Sequence, residues 1–228
     1  MAAILLVCSV PELTYKNSGV SKSSGTAGNG SLSNAYLLPY SGPNWRYFSP
    51  LSYFILDNAY TNSRVASTLH DAFITLENSR PDTKWRVMEC GRKEGGKALI
   101  HKTHQSGLSV DLMVPKKNDR GDQVRRYDWL GMWHYFFEFS DDGKLNFDQS
   151  TQIDFEGIGA LILALDDAAN KNDLRIKMVI LKIELKDDFY TTTSGRQVKR
   201  KGIYLAQSLP DWTNRVHDDH IHVDFKVK

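Results

Sequence analysis

The chain has 228 residues, of which 41% are hydrophobic and 25% are charged, and its formal net charge is +2. This length suffices for one domain with a sizeable core, and the composition is near the average of soluble globular proteins, which indicates neither a disordered chain nor an integral membrane protein. Because the charges are of mixed sign and form no basic stripe, we predict no nucleic-acid partner.

The N-terminal residues Met1–Val10 include an apolar run that is too short to span a bilayer, which takes about 20 apolar residues. The run resembles the core of a secretion signal without its basic start, and a first β-strand is the alternative. Acylation of Cys8 would instead give a lipid anchor. Residues 17–33 are dominated by Gly, Ser and Asn, as in linkers. We therefore interpret residues 1–30 as a truncated signal or leader plus linker, and residues 31–228 as a single domain.

Strand and helix patterns follow the linker. Tyr36–Pro39 predicts a short strand, and apolar residues at helical spacing predict a helix from Val65 to Leu76, with Asn62 or Ser63 as its N-cap. Trp85–Cys90 predicts another strand, and a glycine-rich loop follows it.

The first segment with chemical side chains is His101-Lys-Thr-His104-Gln-Ser-Gly107-Leu-Ser-Val-Asp111. From position 108 onward apolar and polar residues alternate, which places Asp111 on the face of a strand that points away from the core. Gly107 permits a turn before this strand. His104 and Asp111 are therefore close enough in sequence to reach one metal ion.

The middle of the chain adds an aromatic segment, a helix and a long strand. Tyr127–Phe137 has large side chains typical of a core or a cleft wall, within a stretch (residues 116–150) of unassigned role. Ile158–Ala168 predicts a helix with Asp154 as N-cap, and Ile176–Leu185 predicts a strand rich in aliphatic residues. Helices and strands mix without a βαβ rhythm, so we predict an α+β fold with flanking helices and a largely antiparallel central sheet.

The second chemical segment is His217-Asp-Asp-His220-Ile-His222-Val-Asp-Phe, near the C-terminus. Strand alternation puts His220 and His222 on one face and the apolar residues on the other. Imidazole and carboxylate are good zinc ligands, and catalytic zinc sites use three protein ligands and leave one position for water. An exposed polar face is the alternative for the His-x-His pair alone, but together with His104 and Asp111 it predicts a zinc site on the central sheet.

These residues resemble a known family, the penicillin-insensitive murein endopeptidases, which are related to lysostaphin-type peptidases, D-Ala-D-Ala metallopeptidases and the hedgehog domain. The similar stretches include Gly30–Asn34, Leu38-Pro39, Gly95-Gly96 and the two histidine segments, in the family's order. The chain departs from the family in its cysteines, because Cys8 and Cys90 provide no disulfide framework.

The resemblance implies one catalytic zinc ion held by His104, Asp111 and His222, with His101 as a further metal-site residue. It also implies a catalytic role for His220. Zinc lowers the pKa of its bound water to about 7, and a neighbouring base must take the proton. His220 lies two residues from a ligand on the same face and is the first candidate for this base; His217 is the second. Asp218, Asp219 and Asp224 could orient a ligating imidazole, although a solvated charged face is the simpler interpretation for most of them.

The function that follows is zinc-dependent hydrolysis of D-alanyl to diamino-acid cross-links, with the peptide stems of peptidoglycan as partner. The resemblance and the apolar N-terminal run together predict a periplasmic or otherwise extracytoplasmic location. A zinc D,D-carboxypeptidase, an amidase and a non-catalytic zinc-binding module are the alternatives, because all share the metal ligands. A metal-dependent nuclease would require a basic groove, which the near-neutral charge disfavours.

Overall fold

The computed structural model describes residues 13–97 and 103–228. Its strands are β1 (Lys22–Thr26), β2 (Asn29–Ser33), β3 (Tyr36–Leu37), β4 (Trp45–Tyr47), β5 (Tyr60–Thr61), β6 (Trp85–Val87), β7 (Ser109–Met113), β8 (Lys116–Asn118), β9 (Lys144–Leu145), β10 (Asp148–Ile153), β11 (Leu174–Ile180) and β12 (His220–Val227). Its helices are α1 (Pro50–Phe54), α2 (Ser63–Ser79), α3 (Phe155–Lys171), α4 (Lys186–Thr191), α5 (Thr193–Arg200) and α6 (Asp211–Arg215), with 3₁₀ helices η1 (Asp128–Phe136) and η2 (Ile183–Leu185). The predicted α+β class is confirmed.

Across the described ranges, the largest sheet has five strands in the order β11–β12–β7–β6–β4. Neighbouring strands of this central sheet are antiparallel except β4 and β6, which are parallel. Smaller sheets are the hairpin β1–β2, the pair β3–β5, and the sheet β8–β10–β9. The last is built mainly from residues 116–150, to which the sequence analysis assigned no role. The prediction of a largely antiparallel central sheet is therefore confirmed.

Two long helices, α2 and α3, contribute to the hydrophobic core. The Asn62 side chain caps α2 by accepting a hydrogen bond from the Arg64 amide, and Asp154 caps α3 by accepting from the Gly157 amide. Both predicted helices and the Asn62 and Asp154 caps are confirmed. The buried stripes of α2 and α3 pack against each other, and α3 also packs against β11.

No helix of the described residues has both the length and the apolar character that a membrane crossing requires.

The pairing of β7 with β12 separates an apolar face from a polar one. On one face Leu112 lies opposite Ile221 and Val110 lies opposite Val223, and all four side chains belong to the hydrophobic core. On the other face Asp111 lies opposite His222. The strand alternation in the sequence predicted both faces, and the ladder confirms them.

The interpretation of residues 17–33 as a linker is wrong. Lys22–Thr26 and Asn29–Ser33 pair as the hairpin β1–β2, and Leu32 of this hairpin is buried in the hydrophobic core. The carbonyl of Ala27 in its turn accepts a hydrogen bond of 2.9 Å from the Gln105 amide. The hairpin thus supports the loop that precedes β7.

Two predicted strand ends also differ. The strand predicted over Ile176–Leu185 ends at Ile180, after which the backbone amide of Lys182 donates to the His217 carbonyl and the chain enters η2. The aliphatic residues of the sequence extend past the strand to Leu185 because Leu185 is buried in η2. Likewise, β6 ends at Val87, although the Met88 amide still donates to the Asp111 carbonyl.

The aromatic segment divides its side chains between the core and the surface. Phe137 is buried, as the sequence predicts, whereas Trp129, Trp133 and Phe136 are 70–76% exposed. Gly131 lies in this segment with φ +57° and breaks η1 into two short turns. This break lets one short segment present residues to the interior and to solvent.

The core-facing stripe of α2 gives a stability test. Leu69 is buried and Ile74 on the same helix is 46% exposed, so Leu69→Ala should lower the free energy of unfolding by about 2–5 kcal/mol and Ile74→Ala by roughly 1 kcal/mol or less. Urea denaturation followed by circular dichroism measures both changes. Equal losses in the two variants would contradict the assigned orientation of α2.

Candidate metal centre

Three buried side chains meet on the polar face of the central sheet. The side chains of His104, Asp111 and His222 each offer one ligand atom, and these atoms all lie within 4.8 Å of one another. Asp111 and His222 meet because they are directly opposite on adjacent antiparallel strands. This group could hold a metal ion.

His104 reaches the group from a tight turn. The Gly107 amide donates to the His104 carbonyl over 3.2 Å, and both residues have positive φ, +67° at His104 and +69° at Gly107. Glycine adopts this conformation freely, so the turn predicted at Gly107 is confirmed. A histidine adopts it at a cost of about 1–2 kcal/mol, which the surrounding structure must offset. In this backbone conformation the imidazole Nε2 atom of His104 lies 3.2 Å from Asp111 Oδ2.

Asp111 lies between the two imidazoles. Its Oδ1 is 2.8 Å from His222 Nδ1 and its Oδ2 faces His104. Burial alone would raise the pKa of Asp111, but the charge and hydrogen bond of His104, and then those of His222, lower it well below its ordinary value. Asp111 is therefore a carboxylate in the folded protein, as a metal ligand must be.

His222 is oriented by a second carboxylate. Its Nε2 lies 2.9 Å from Asp224 Oδ1, and the Ser109 hydroxyl donates to the same oxygen over 2.6 Å. With Nε2–H donating to Asp224, the Nδ1 atom of His222 faces Asp111. Burial opposes a charge on His222, yet its hydrogen bonds to Asp111 and Asp224 raise the pKa to about 10.

The donor set fits a transition metal. Proteins bind zinc and similar ions through imidazole nitrogen and carboxylate oxygen at about 2.0–2.2 Å. The structure brings together the Nε2 atom of His104, the carboxylate of Asp111 and the Nδ1 atom of His222. An outer carboxylate that accepts from the far nitrogen of a ligating histidine is common at such sites, and Asp224 is placed for this role. An ion bound here would replace a proton on His222.

His220 lies on the same face, next to the metal-ligand group. Its Nδ1 is 2.5 Å from Asp219 Oδ1, and its ring meets the Tyr135 ring edge-on at 5.6 Å between centroids. Burial disfavours the charged imidazole, but the Asp219 carboxylate outweighs it and raises the pKa of His220. The geometry thus pairs one imidazole with a carboxylate that is separate from the three candidate ligands.

His217 is placed beside His220 rather than in the ligand group. Its Nδ1–H donates to the Thr213 carbonyl over 2.6 Å, and its ring centroid is 4.6 Å from that of His220. Burial and then the positive charge of His220 lower its pKa to about 3, so His217 is neutral at pH 7. At 9% exposed, it is the least buried of the described histidines at this site.

The simpler interpretation of the three aspartates as a solvated face is wrong. Asp218, Asp219 and Asp224 are all buried, between 1% and 4% exposed. Asp218 accepts from the Phe139 amide over 3.0 Å, while Asp219 and Asp224 accept from imidazoles. Each carboxylate has hydrogen-bond donors, and this is what permits burial of a charge.

Sequence reasoning missed two buried groups near this centre. Glu89 is fully buried on the segment after β6 and accepts hydrogen bonds from Ser52 and Asn58. His134, inside the aromatic segment, lies with its Nδ1 atom 2.9 Å from Asp219 Oδ2. Neither residue belongs to a sequence motif. The signal that the sequence did contain was the position of His134 within a run of aromatic residues. His101, predicted as a further metal-site residue, lies outside the described residues.

A cavity of about 540 Å³ lies away from these histidines, at the C-terminal end of α2. Its lining mixes basic side chains such as Arg80 and Lys117 with acidic ones such as Asp122 and Asp154. Arg80 and Asp154 already form an ion pair there. Because this cavity holds no coherent set of metal-binding side chains, the buried histidine–aspartate cluster is the stronger candidate site.

The ligand assignment predicts the metal content of variants. His104→Ala and His222→Ala should each lose most bound metal, because each removes one of three donors, while His70→Ala, which changes an exposed histidine on α2, should retain it. Mass spectrometry of protein loaded with Zn²⁺ and then dialysed should give about one ion per chain for the wild type. Full metal content in both ligand variants would contradict the assignment.

Asp218 predicts a pH dependence of stability. Burial raises its pKa from 3.8 to about 6, so the folded state holds the proton more tightly than the unfolded state does. This contribution is present below pH 3.8 and is lost as the pH rises to about 6. Relative to wild type, Asp218→Asn should therefore gain stability between pH 4 and pH 7, by up to roughly 3 kcal/mol.

The measurement is urea denaturation of both proteins at several pH values, with a chelator present so that metal release does not contribute. The carboxamide oxygen of the substituted side chain can still accept from the Phe139 amide. Parallel stability curves for the two proteins over this pH range would contradict the raised pKa.

Neither a scan against protein-family models nor a search of curated proteins finds a match to this chain. The function is therefore inferred from the side chains and their geometry.

Proposed function

We propose that this protein is a zinc-dependent hydrolase that cuts peptide cross-links of peptidoglycan. The observation that carries the proposal is the buried group of His104, Asp111 and His222, with a carboxylate-paired imidazole, His220, beside it. A metal-binding protein without catalysis needs the first feature but not the second. The combination favours hydrolysis over simple metal storage.

Zinc is proposed on the chemistry of the donors. Two imidazoles and one carboxylate form a three-ligand set of the kind that catalytic zinc sites use, whereas calcium and magnesium prefer all-oxygen ligands. When bound, zinc would polarise a peptide carbonyl and lower the pKa of a water molecule to about 7. His104, Asp111 and His222 would hold the ion, and Asp224 would keep His222 oriented.

The other two histidines of the site, His220 and His217, would assist proton transfer and substrate binding. In its neutral form, with the Nδ1–H donated to Asp219, His220 would use Nε2 to accept a proton and later give it to the leaving amine. His217, neutral and next to His220, would be a neighbouring hydrogen-bond partner for the substrate.

The substrate class rests on the resemblance of the two histidine segments to the penicillin-insensitive murein endopeptidases. A slightly basic chain, with a pI of about 8.4, is compatible with an anionic wall polymer. The proposed location is extracytoplasmic, where that polymer lies. The proposed bond is the link from D-alanine to the diamino acid of a neighbouring stem.

Digestion of purified cross-linked muropeptides by the full-length protein tests this proposal. We expect conversion of dimers to monomers, loss of activity with a zinc chelator, and no inhibition by β-lactams, which need an active-site serine. His220→Ala should retain zinc but lower turnover by roughly 10²- to 10⁴-fold. Mass spectrometry of the products and of the bound metal provides both measurements.

Other products would identify the related activities. Free D-alanine would indicate a carboxypeptidase, and intact stems released from the sugar would indicate an amidase. Retention of zinc without release of any fragment would support a non-catalytic zinc-binding module and contradict the proposed hydrolysis.

A further inference from the structure

A chain of buried polar groups extends from His220 into the protein interior. Asp219 Oδ1 is bonded to His220, and Asp219 Oδ2 lies 2.9 Å from His134 Nδ1. His134 Nε2 in turn lies 3.2 Å from Lys116 Nζ, and this ammonium lies 2.9 Å from Asp128 Oδ1. The four residues from Asp219 to Asp128 are at most 4% exposed.

Each charged group along this chain has a buried partner. Lys116 is paired with Asp128, which also lies 3.8 Å from the guanidinium of Arg86. The Asp219 carboxylate accepts hydrogen bonds from the imidazoles on its two sides. Because burial of an isolated charge is costly, a lysine that is 1% exposed requires such a partner. A hydrophobic residue would serve the core more simply, so this arrangement points to a role beyond packing.

The donor and the acceptor of each hydrogen bond in this chain can be assigned by starting at Lys116. An ammonium group can only donate, so the Nε2 atom of His134 must accept from Lys116. The proton of neutral His134 is then on Nδ1, which donates to Asp219. A carboxylate can only accept, so Asp219 also takes the Nδ1–H of His220. The lone pair of neutral His220 is thereby assigned to Nε2.

We propose that Lys116, His134 and Asp219 form a positioning relay that holds His220 in its Nδ1–H tautomer and so presents Nε2 as the proton acceptor. This inference rests on the proposed function for its catalytic consequence. His134 and Lys116 come from η1 and β8, in the stretch between the two histidine motifs. That stretch therefore contributes to the site through its buried residues.

The matched variants follow from the geometry. His134→Leu removes both ring nitrogens while keeping an apolar side chain of moderate size. His134→Asn keeps a donor near the Nδ1 position that can still reach Asp219. Lys116→Met removes the ammonium but leaves His134 in place, and so tests the other end of the relay.

The first measurement is nuclear magnetic resonance of zinc-loaded protein with ¹⁵N-labelled histidine at mildly alkaline pH. The wild type should show His220 protonated on Nδ1, with a downfield and slowly exchanging proton. His134→Leu and Lys116→Met should weaken this signal or give mixed tautomers, and His134→Asn should restore it. His220 protonated on Nε2 in the wild type, or an unchanged signal in both disruptive variants, would overturn the relay.

The second measurement is the hydrolysis of cross-linked muropeptides. His134→Leu should retain zinc and lower kcat by about 10- to 100-fold with KM nearly unchanged, and His134→Asn should recover most of the loss. Equal loss in the leucine and asparagine variants would assign His134 a structural role and overturn the relay. If wild-type protein hydrolyses no muropeptide, the proposed function fails, while the tautomer measurement still decides the relay.

Discussion

The register between β7 and β12 is the constraint on which this site depends. Antiparallel pairing places Asp111 opposite His222, and the next pair on the same face is Ser109 opposite Asp224. A slip of one residue would turn every side chain of one strand to the other face, and the polar cluster would enter the hydrophobic core. The apolar pairs on the reverse face, such as Val110 with Val223, therefore fix the position of the candidate metal ligands as well as the core.

The second constraint is that the site's charges are buried. Carboxylates in this interior are each matched by imidazole, hydroxyl or backbone donors, as Asp224 is by His222 and Ser109. Removing one partner of such a pair costs more than the pair contributes, because a buried charge is left without compensation. These hydrogen bonds thus hold the side chains in one arrangement, which is what a metal centre and a proton acceptor both need.

Much of the fold follows from local patterns in the sequence. The helical spacing from Val65 to Leu76 and the alternation after Gly107 predict a helix and a strand that the structure contains. The pairing of two segments more than one hundred residues apart could be inferred because both carry ligand-type side chains on a polar face. Their direct contact at 2.8 Å required the tertiary structure.

The remaining features depend on contacts that no local pattern encodes. Residues 17–33 have the composition of a linker, yet their strands pair and their turn bonds to Gln105. The aspartates of the last motif have the sequence signature of a solvated face, and only the fold shows their buried donors. Lys116 and His134 are separated in sequence from Asp219, and their alignment arises from the packing of η1 and β8 beside the central sheet.

Anomalous diffraction from crystals of the zinc-loaded protein, recorded on both sides of the zinc absorption edge, tests the central claim most directly. The account predicts one strong peak per chain within bonding distance, about 2.0–2.2 Å, of His104 Nε2, the Asp111 carboxylate and His222 Nδ1. A peak bound by other residues, or no ordered peak in fully loaded protein, would contradict it.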